Sequence, residues 1–204
     1  MLQWGDLFTA RQKVALVTLF NLSKKIQNKY LISEAVWTAM AAAISKPSER
    51  LSSLVSWINI TQAPRGTFAR QALPIVWDYL EMDPFVKEEE FSDVIKAMAN
   101  VVEIFSLTRS PRGQIQLADA TEYPLPDETA MLFFTDPPYY DAVPYADLSD
   151  FFYVWLKRTL AGHPLMQNPF EPENPLTPKA QEIVQDEIKL FAGRPKDRQF
   201  FEER

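Results

Sequence analysis

The chain has 204 residues, of which 47% are hydrophobic and 13% aromatic, and this composition predicts a packed globular protein, not a disordered one. The formal net charge of −6 disfavours nucleic-acid binding by this chain unaided, because such binding normally depends on clustered Lys and Arg. With no cysteine and a single histidine, His163, the sequence excludes disulfides and thiolate zinc sites, predicts no metal site and fits a reducing cytoplasm. No apolar run approaches the roughly 20 residues of a membrane-spanning helix, so we expect a soluble protein without a membrane partner.

The first half of the sequence has mainly helical patterns. Thr9 and Gln12 form a capping-box signal for a helix that runs to about Lys29, and Ser33 can cap a second helix. The remaining apolar spacing predicts helices over 34–44, 47–58, 68–80 (interrupted at Pro74) and 91–107, the last one clearly amphipathic.

The second half introduces strands. Residues 114–117 alternate polar and apolar, and residues 131–135 form a short apolar run typical of a buried parallel strand. An apolar helix is predicted over 147–160, with Gly162 at its end, and another over 178–191, with Thr177 as its cap. His163, after the helix-ending glycine, is predicted to be solvated.

Directly after the predicted strand comes Asp136-Pro137-Pro138-Tyr139. Ligands of open α/β sheets bind beyond the carboxyl ends of the strands, so Asp136 is expected at that edge. The two prolines fix two φ angles and remove two backbone donors, which leaves a stiff loop whose carbonyls face outward. This loop suits methylation of an exocyclic amine on a nucleic-acid base. Hydrogen bonds from that amine to Asp136 and to the Pro137 carbonyl would favour its nucleophilic form, and Tyr139 can stack on the base. A tight turn after a strand is the structural alternative.

This tetrad is the catalytic motif of the adenine-N6 and cytosine-N4 amino-methyltransferases. Four longer runs resemble the large prokaryotic adenine-specific DNA methylases: WGDLFTARQ, TFARQALPIVWDY, TDPPYYDAVPYADLSDFFYVWLKRTL and PLTPKAQEIV. The resemblance implies part of a Rossmann-like α/β fold, S-adenosylmethionine as the cofactor, and adenine in duplex DNA as the substrate. It implies catalytic roles for Asp136, Pro137, Pro138 and Tyr139.

The cofactor site is only partly matched. In similar methyltransferases a G-D-A sequence places its Asp near the adenine of the cofactor, which implies cofactor contacts for Asp119 and Ala120 here, although Ala118 replaces the glycine. An Asp that caps a strand-end turn is the alternative. The family's glycine-rich F-x-G-x-G loop is missing, so we expect the rest of the methylase as a separate chain or domain.

Further substrate contacts are expected around the motif. Tyr140, Asp141 and Tyr145 extend the loop and can close over the base, although packing of the tyrosines against the following aromatic helix is the alternative. Arg65 and Arg70, with Arg109 and Arg112, can meet phosphates or can simply be scattered surface residues.

The predicted architecture is a helical insertion over 1–107 and a catalytic half over 108–204, mostly helical by residue count. The predicted reaction is methyl transfer to adenine N6 in DNA, with this chain acting as a fragment of a larger methylase and inactive alone if the cofactor half is missing. An RNA guanine-N2 methyltransferase and a catalytically inactive remnant or binding module are the alternatives.

Overall fold

The computed structural model describes residues 3–83, 88–108, 111, 113–115, 118, 122, 125–168 and 171–204. These residues form five α-helices and four short β-strands, and helices make up 45% of the structure. The helices are α1 (Ala10–Tyr30), α2 (Glu34–Ser45), α3 (Glu88–Leu107), α4 (Tyr145–Thr159) and α5 (Arg198–Glu203). The strands are β1 (Ser56–Ile58), β2 (Ala63–Arg65), β3 (Asp186–Phe191) and β4 (Arg194–Lys196).

The first two helices begin where the sequence predicts. The Thr9 hydroxyl accepts a hydrogen bond from the Gln12 amide at 3.2 Å, and the Gln12 side chain accepts one from the Thr9 amide at 2.9 Å. Ser33 caps α2 by accepting from the Val36 amide at 3.4 Å. These bonds satisfy amides that have no partner inside the helix, so the predicted capping signals are confirmed.

The main hydrophobic core is built where α1, α2 and α4 meet. Phe151 and Trp155 of α4 lie at its centre: Trp155 stacks on Phe20 at 5.0 Å between ring centroids, and Phe151 stacks on Phe8 at 5.4 Å. The buried members of this core are Leu7, Phe8, Leu16, Phe20, Ile44, Leu51, Phe151 and Trp155. This core combines residues from both sides of the predicted boundary at 107/108, so α4 is held by the amino-terminal helices.

The predicted amphipathic helix at 91–107 is confirmed as α3, which packs against α2. Its carboxyl-terminal apolar residues are nevertheless exposed. Val101, Val102, Ile104, Phe105 and Leu107 all have half or more of their surface accessible. Within the described residues, this part of the apolar face is therefore not covered.

The strands form two antiparallel hairpins, β1–β2 and β3–β4. In the second hairpin, Phe191 pairs with Arg194 across a two-residue turn whose residues Ala192 and Gly193 have φ of 48° and 81°. Positive φ at both positions is what a type I′ turn requires. Neither hairpin contains a parallel pair, and the Rossmann-like sheet stays a prediction.

Two predicted helices in the first half are wrong. The range 47–58 contains the 3-10 turn Lys46–Arg50 and then β1. Between them the Ser52 hydroxyl accepts from the Leu54 amide and contacts the Thr67 hydroxyl, local bonds that compete with a helix. Residues 68–80 form turns and irregular structure, with Gln71 at φ 54°, which a helix does not allow.

The predicted helix over 178–191 is also wrong. Thr177 does not cap a helix, because its hydroxyl bonds Asp150 at 2.5 Å and the Ala146 carbonyl at 2.6 Å. The end of this range is β3. The prediction for His163 is wrong as well: its side chain is largely buried, and its Nδ1 accepts from the Leu165 amide at 3.1 Å. Its Nε2 lies 3.2 Å from the Thr38 hydroxyl and 3.0 Å from the Glu34 carboxylate.

No helix within the described ranges has the length and apolarity required to cross a bilayer. In the same part of the chain, no group of three or more His, Asp or Glu side chains is placed to hold a metal ion.

Candidate functional site

The segment that precedes the candidate catalytic loop is not the buried strand that the sequence predicted. Residues 131–135 lie outside every strand, and Phe134 is 88% exposed. A parallel strand needs neighbours on which to pair its backbone and bury both faces, and the described residues place none beside this segment. The apolar run is therefore presented to solvent.

The four residues of the tetrad form an irregular loop, as predicted, and all of them except the half-buried Pro138 are exposed. The Asp136 carboxylate has no hydrogen-bond or ion-pair partner among the described residues. The Tyr139 ring is 69% exposed, and its carbonyl accepts from the Ala142 amide at 2.8 Å, which closes a turn after the tetrad. Both side chains that the proposed chemistry needs are thus accessible from solvent.

Tyr140 fixes the end of the loop to α5. Its ring stacks on Phe201 at 4.2 Å between centroids, and its hydroxyl donates to Glu202 at 3.2 Å. The hydrogen bond from Arg198, followed by the one from Tyr140, lowers the pKa of Glu202. The Tyr140 carbonyl also accepts from the Gln185 amide at 3.0 Å. Tyr140 therefore packs against α5, whereas the predicted alternative was packing against the following aromatic helix, α4. Asp141, the other predicted loop contact, is exposed.

A remote carboxylate caps the helix that follows the loop. Pro144, at the amino terminus of α4, supplies no side-chain cap, and Glu182 instead accepts from the Ala146 amide at 2.7 Å. Lys189 pairs with Asp147 and lies 3.3 Å from Asp186. Burial would lower the pKa of Lys189, but the hydrogen bond and charge of Asp147 lead a set of carboxylate interactions that raise it.

A buried polar network holds the carboxyl-terminal segment against α4. Asp150, 3% exposed, accepts from the Thr177 amide at 2.9 Å and from Lys179 Nζ at 2.7 Å. Lys196 is fully buried and donates to the Lys179 and Glu182 carbonyls at 2.5 and 2.6 Å, and desolvation by burial lowers its pKa. The network joins two of the sequence runs that carry the family resemblance.

Sequence reasoning did not single out Asp150, Glu182 or Lys196. A signal existed for Asp150, since a carboxylate directly before two phenylalanines in a very apolar helix needs buried partners. Nothing in the local pattern of Glu182 or Lys196 indicates their contacts, which are made to residues distant in the chain or to backbone carbonyls.

The predicted phosphate contacts Arg65 and Arg70 line one cleft of about 560 Å³. The structure therefore brings these two arginines together. Asp119 and Ala120 lie outside the described residues, as do Arg109, Arg112 and the Gln116–Leu117 half of the predicted strand at 114–117. A second cleft, of about 540 Å³, lies between the end of α1, the start of α2 and His163.

No family model matches the chain, and searches of curated proteins and of solved structures found no match either.

Proposed function

We propose that the chain is the target-base part of an S-adenosylmethionine-dependent methyltransferase that acts on the N6 amine of adenine in DNA. The remainder of the methylase, with its glycine-rich cofactor loop, is the proposed partner. In this proposal Asp136 orients the amine, the Pro137 carbonyl accepts its second hydrogen, Pro138 stiffens the loop and Tyr139 stacks on the base.

The observation that carries the proposal is the contrast between two aspartates. Both carboxylate oxygens of Asp150 accept hydrogen bonds within the protein, from Thr177 and from Lys179. Asp136 is exposed, caps no turn and has no partner in the part of the chain that the structure describes. An aspartate that only stabilised a turn would accept a nearby backbone amide. An unengaged carboxylate beside an exposed tyrosine suits a ligand instead.

The chemistry follows from these two side chains. The lone pair of an exocyclic amine is delocalised into the ring, so the amine is a poor nucleophile. Two preorganised acceptors, a carboxylate and a carbonyl, localise that lone pair and stabilise the positive charge that develops as the methyl group arrives. The cofactor supplies the methyl group. Stacking on Tyr139 holds the base outside the duplex and contributes about 1–3 kcal/mol.

The test is single-turnover transfer of a labelled methyl group to adenine-containing duplex DNA, in the assembly that contains this chain and its cofactor partner. We expect Asp136→Ala to lower the rate by about 100-fold or more, with little effect on cofactor affinity. Tyr139→Ala should mainly weaken capture of the flipped base.

Asp127→Ala is the matched control, because Asp127 is exposed and has no partner among the described residues. Asp147 is unsuitable, since it pairs with Lys189. A near-normal rate for Asp136→Ala would refute the catalytic assignment and leave the loop as a structural turn or as part of a binding module.

A further inference from the structure

The walls of the cleft that holds Arg65 and Arg70 are firmly built. The buried Thr67 donates through its amide and its hydroxyl to the Glu49 carbonyl, at 3.0 and 2.5 Å, and its hydroxyl contacts Ser52 at 2.7 Å. An added Cβ at Gly66 would lie 2.6 Å from the Glu49 carboxylate, so a larger residue there would displace the Glu49 side chain. Phe68 packs edge-on against Phe151 at 4.9 Å, which ties this wall to α4, the helix that follows the candidate catalytic loop.

The two arginines differ from the arginines of this acidic chain that a carboxylate neutralises. Arg11, Arg194 and Arg198 each pair with a carboxylate. Neither Arg65 nor Arg70 has a hydrogen-bond or ion-pair partner among the described residues. Two unneutralised guanidinium groups on one cleft attract an anion, and their planar donor sets match the oxygens of phosphate.

The rest of the cleft is mostly aliphatic, and Ser56, which faces Arg65 across the β1–β2 pair, adds a hydroxyl. Ile75, 97% exposed, forms part of the wall. The fully exposed Trp77 is not a lining residue but lies two residues further along the chain from Ile75. Positive charge beside exposed aromatic surface is the combination that binds single strands, because phosphates contact the cations while bases stack on the rings.

We infer that this cleft binds the phosphodiester backbone of an unpaired nucleic-acid strand, with Arg65 and Arg70 on the phosphates and Trp77 stacking on a base. This inference rests on the proposed function, because the strand in the cleft would be the one that carries the reacting base. Strand binding itself requires no cofactor and no methyl transfer. An experiment can therefore refute one proposal without refuting the other.

The experiment titrates the full chain into a fluorescein-labelled oligothymidylate of about twelve nucleotides, a length within the ~4–16 nucleotides that such sites cover. Fluorescence anisotropy gives the dissociation constant at several salt concentrations. Removing one cation that neutralises a phosphate of a single strand reduces the slope of log K against log salt by about 0.7. The variant Arg65→Gln/Arg70→Gln should therefore have a slope that is smaller by about 1.4 and should bind roughly tenfold or more weakly at low salt.

Two further variants separate the contributions. Trp77→Ala should weaken binding by about fivefold or more at an unchanged salt slope, because it removes stacking and leaves the ionic contacts. Lys13→Gln/Lys25→Gln, which removes the same charge from exposed α1 residues without carboxylate partners in the described chain, should keep the affinity of the unsubstituted protein.

The same titration, repeated with other nucleic acids, tests which ligand the cleft binds. Oligouridylate should bind about as well as oligothymidylate, because neither the phosphates nor the ring faces depend on the sugar; a strict preference for one sugar would contradict the inference. Tighter binding of a duplex of the same length would also overturn it, as would an unchanged slope in the arginine variant or no binding by the unsubstituted chain at low salt.

Discussion

Two single substitutions, one of an aspartate in the interior and one of an aspartate in the loop, test which carboxylate stabilises the fold. Asp150→Ala removes the acceptor of the Thr177 amide, the Thr177 hydroxyl and the Lys179 ammonium. The hydroxyl can turn to the Ala146 carbonyl, 2.6 Å away, so the cost falls on the amide and on the ammonium. Breaking a buried ion pair destabilises by about 3–5 kcal/mol.

The lower end of that range applies, because the Lys179 side chain is 24% exposed and keeps the Thr177 carbonyl at 3.2 Å as an acceptor. We therefore expect Asp150→Ala to lower the free energy of unfolding by about 3 kcal/mol. The matched change Asp136→Ala removes an exposed carboxylate that has no partner in the described part of the chain. It should change the free energy of unfolding by less than about 0.5 kcal/mol.

The assay is equilibrium unfolding in urea, with the midpoint and slope measured for both variants and for the unsubstituted chain. The midpoint of Asp150→Ala should fall at an unchanged slope, which indicates a loss of stability without a change in the surface exposed on unfolding. A destabilisation below about 1 kcal/mol for Asp150→Ala, or one of about 3 kcal/mol for Asp136→Ala, would refute the division between the two carboxylates.

Two further predictions concern acid stability and the exposed apolar run. Burial acts to raise the pKa of Glu171, but hydrogen bonds from the Ala180 amide, the Asn174 side chain and the Lys179 amide outweigh it and lower the pKa. The stability that this lowered pKa provides is fully present above the unfolded-state pKa near 4.5 and is lost as the pH falls through the lower folded-state pKa. Glu171→Gln should therefore flatten the dependence of the free energy of unfolding on pH in that acid range. Urea unfolding at a series of pH values measures this dependence. Phe134→Ser should leave the melting temperature nearly unchanged, and a drop of several degrees would show that the run is packed.

Local signals in the sequence were sufficient for the starts of α1 and α2 and for the amphipathic pattern of α3. Thr9 and Ser33 are caps because an oxygen-bearing side chain at that position satisfies amides within the next turn, an interaction that depends on no distant residue. The apolar spacing of α3 and the glycine beyond α4 likewise act within a few residues, and both predictions agree with the structure.

Signals that depend on distant partners misled the prediction. Thr177 has the position and side chain of a helix cap, but Asp150, 27 residues earlier, captures both its amide and its hydroxyl. The apolar run at 131–135 has the composition of a buried strand, yet a strand exists only where neighbours pair with it. For the candidate site, the prolines predicted the loop at the tetrad, but no local signal predicted the packing of Tyr140 on Phe201.

The remote cap on α4 affects how the chain folds during synthesis. Glu182, which accepts from the Ala146 amide, follows it by 36 residues. At ribosomal rates of about 5–20 residues per second, Ala146 is added to the chain roughly 2–7 s before Glu182. During that interval the first turn of α4 lacks its carboxylate. The candidate catalytic loop therefore reaches its final position only after Glu182 has been synthesised.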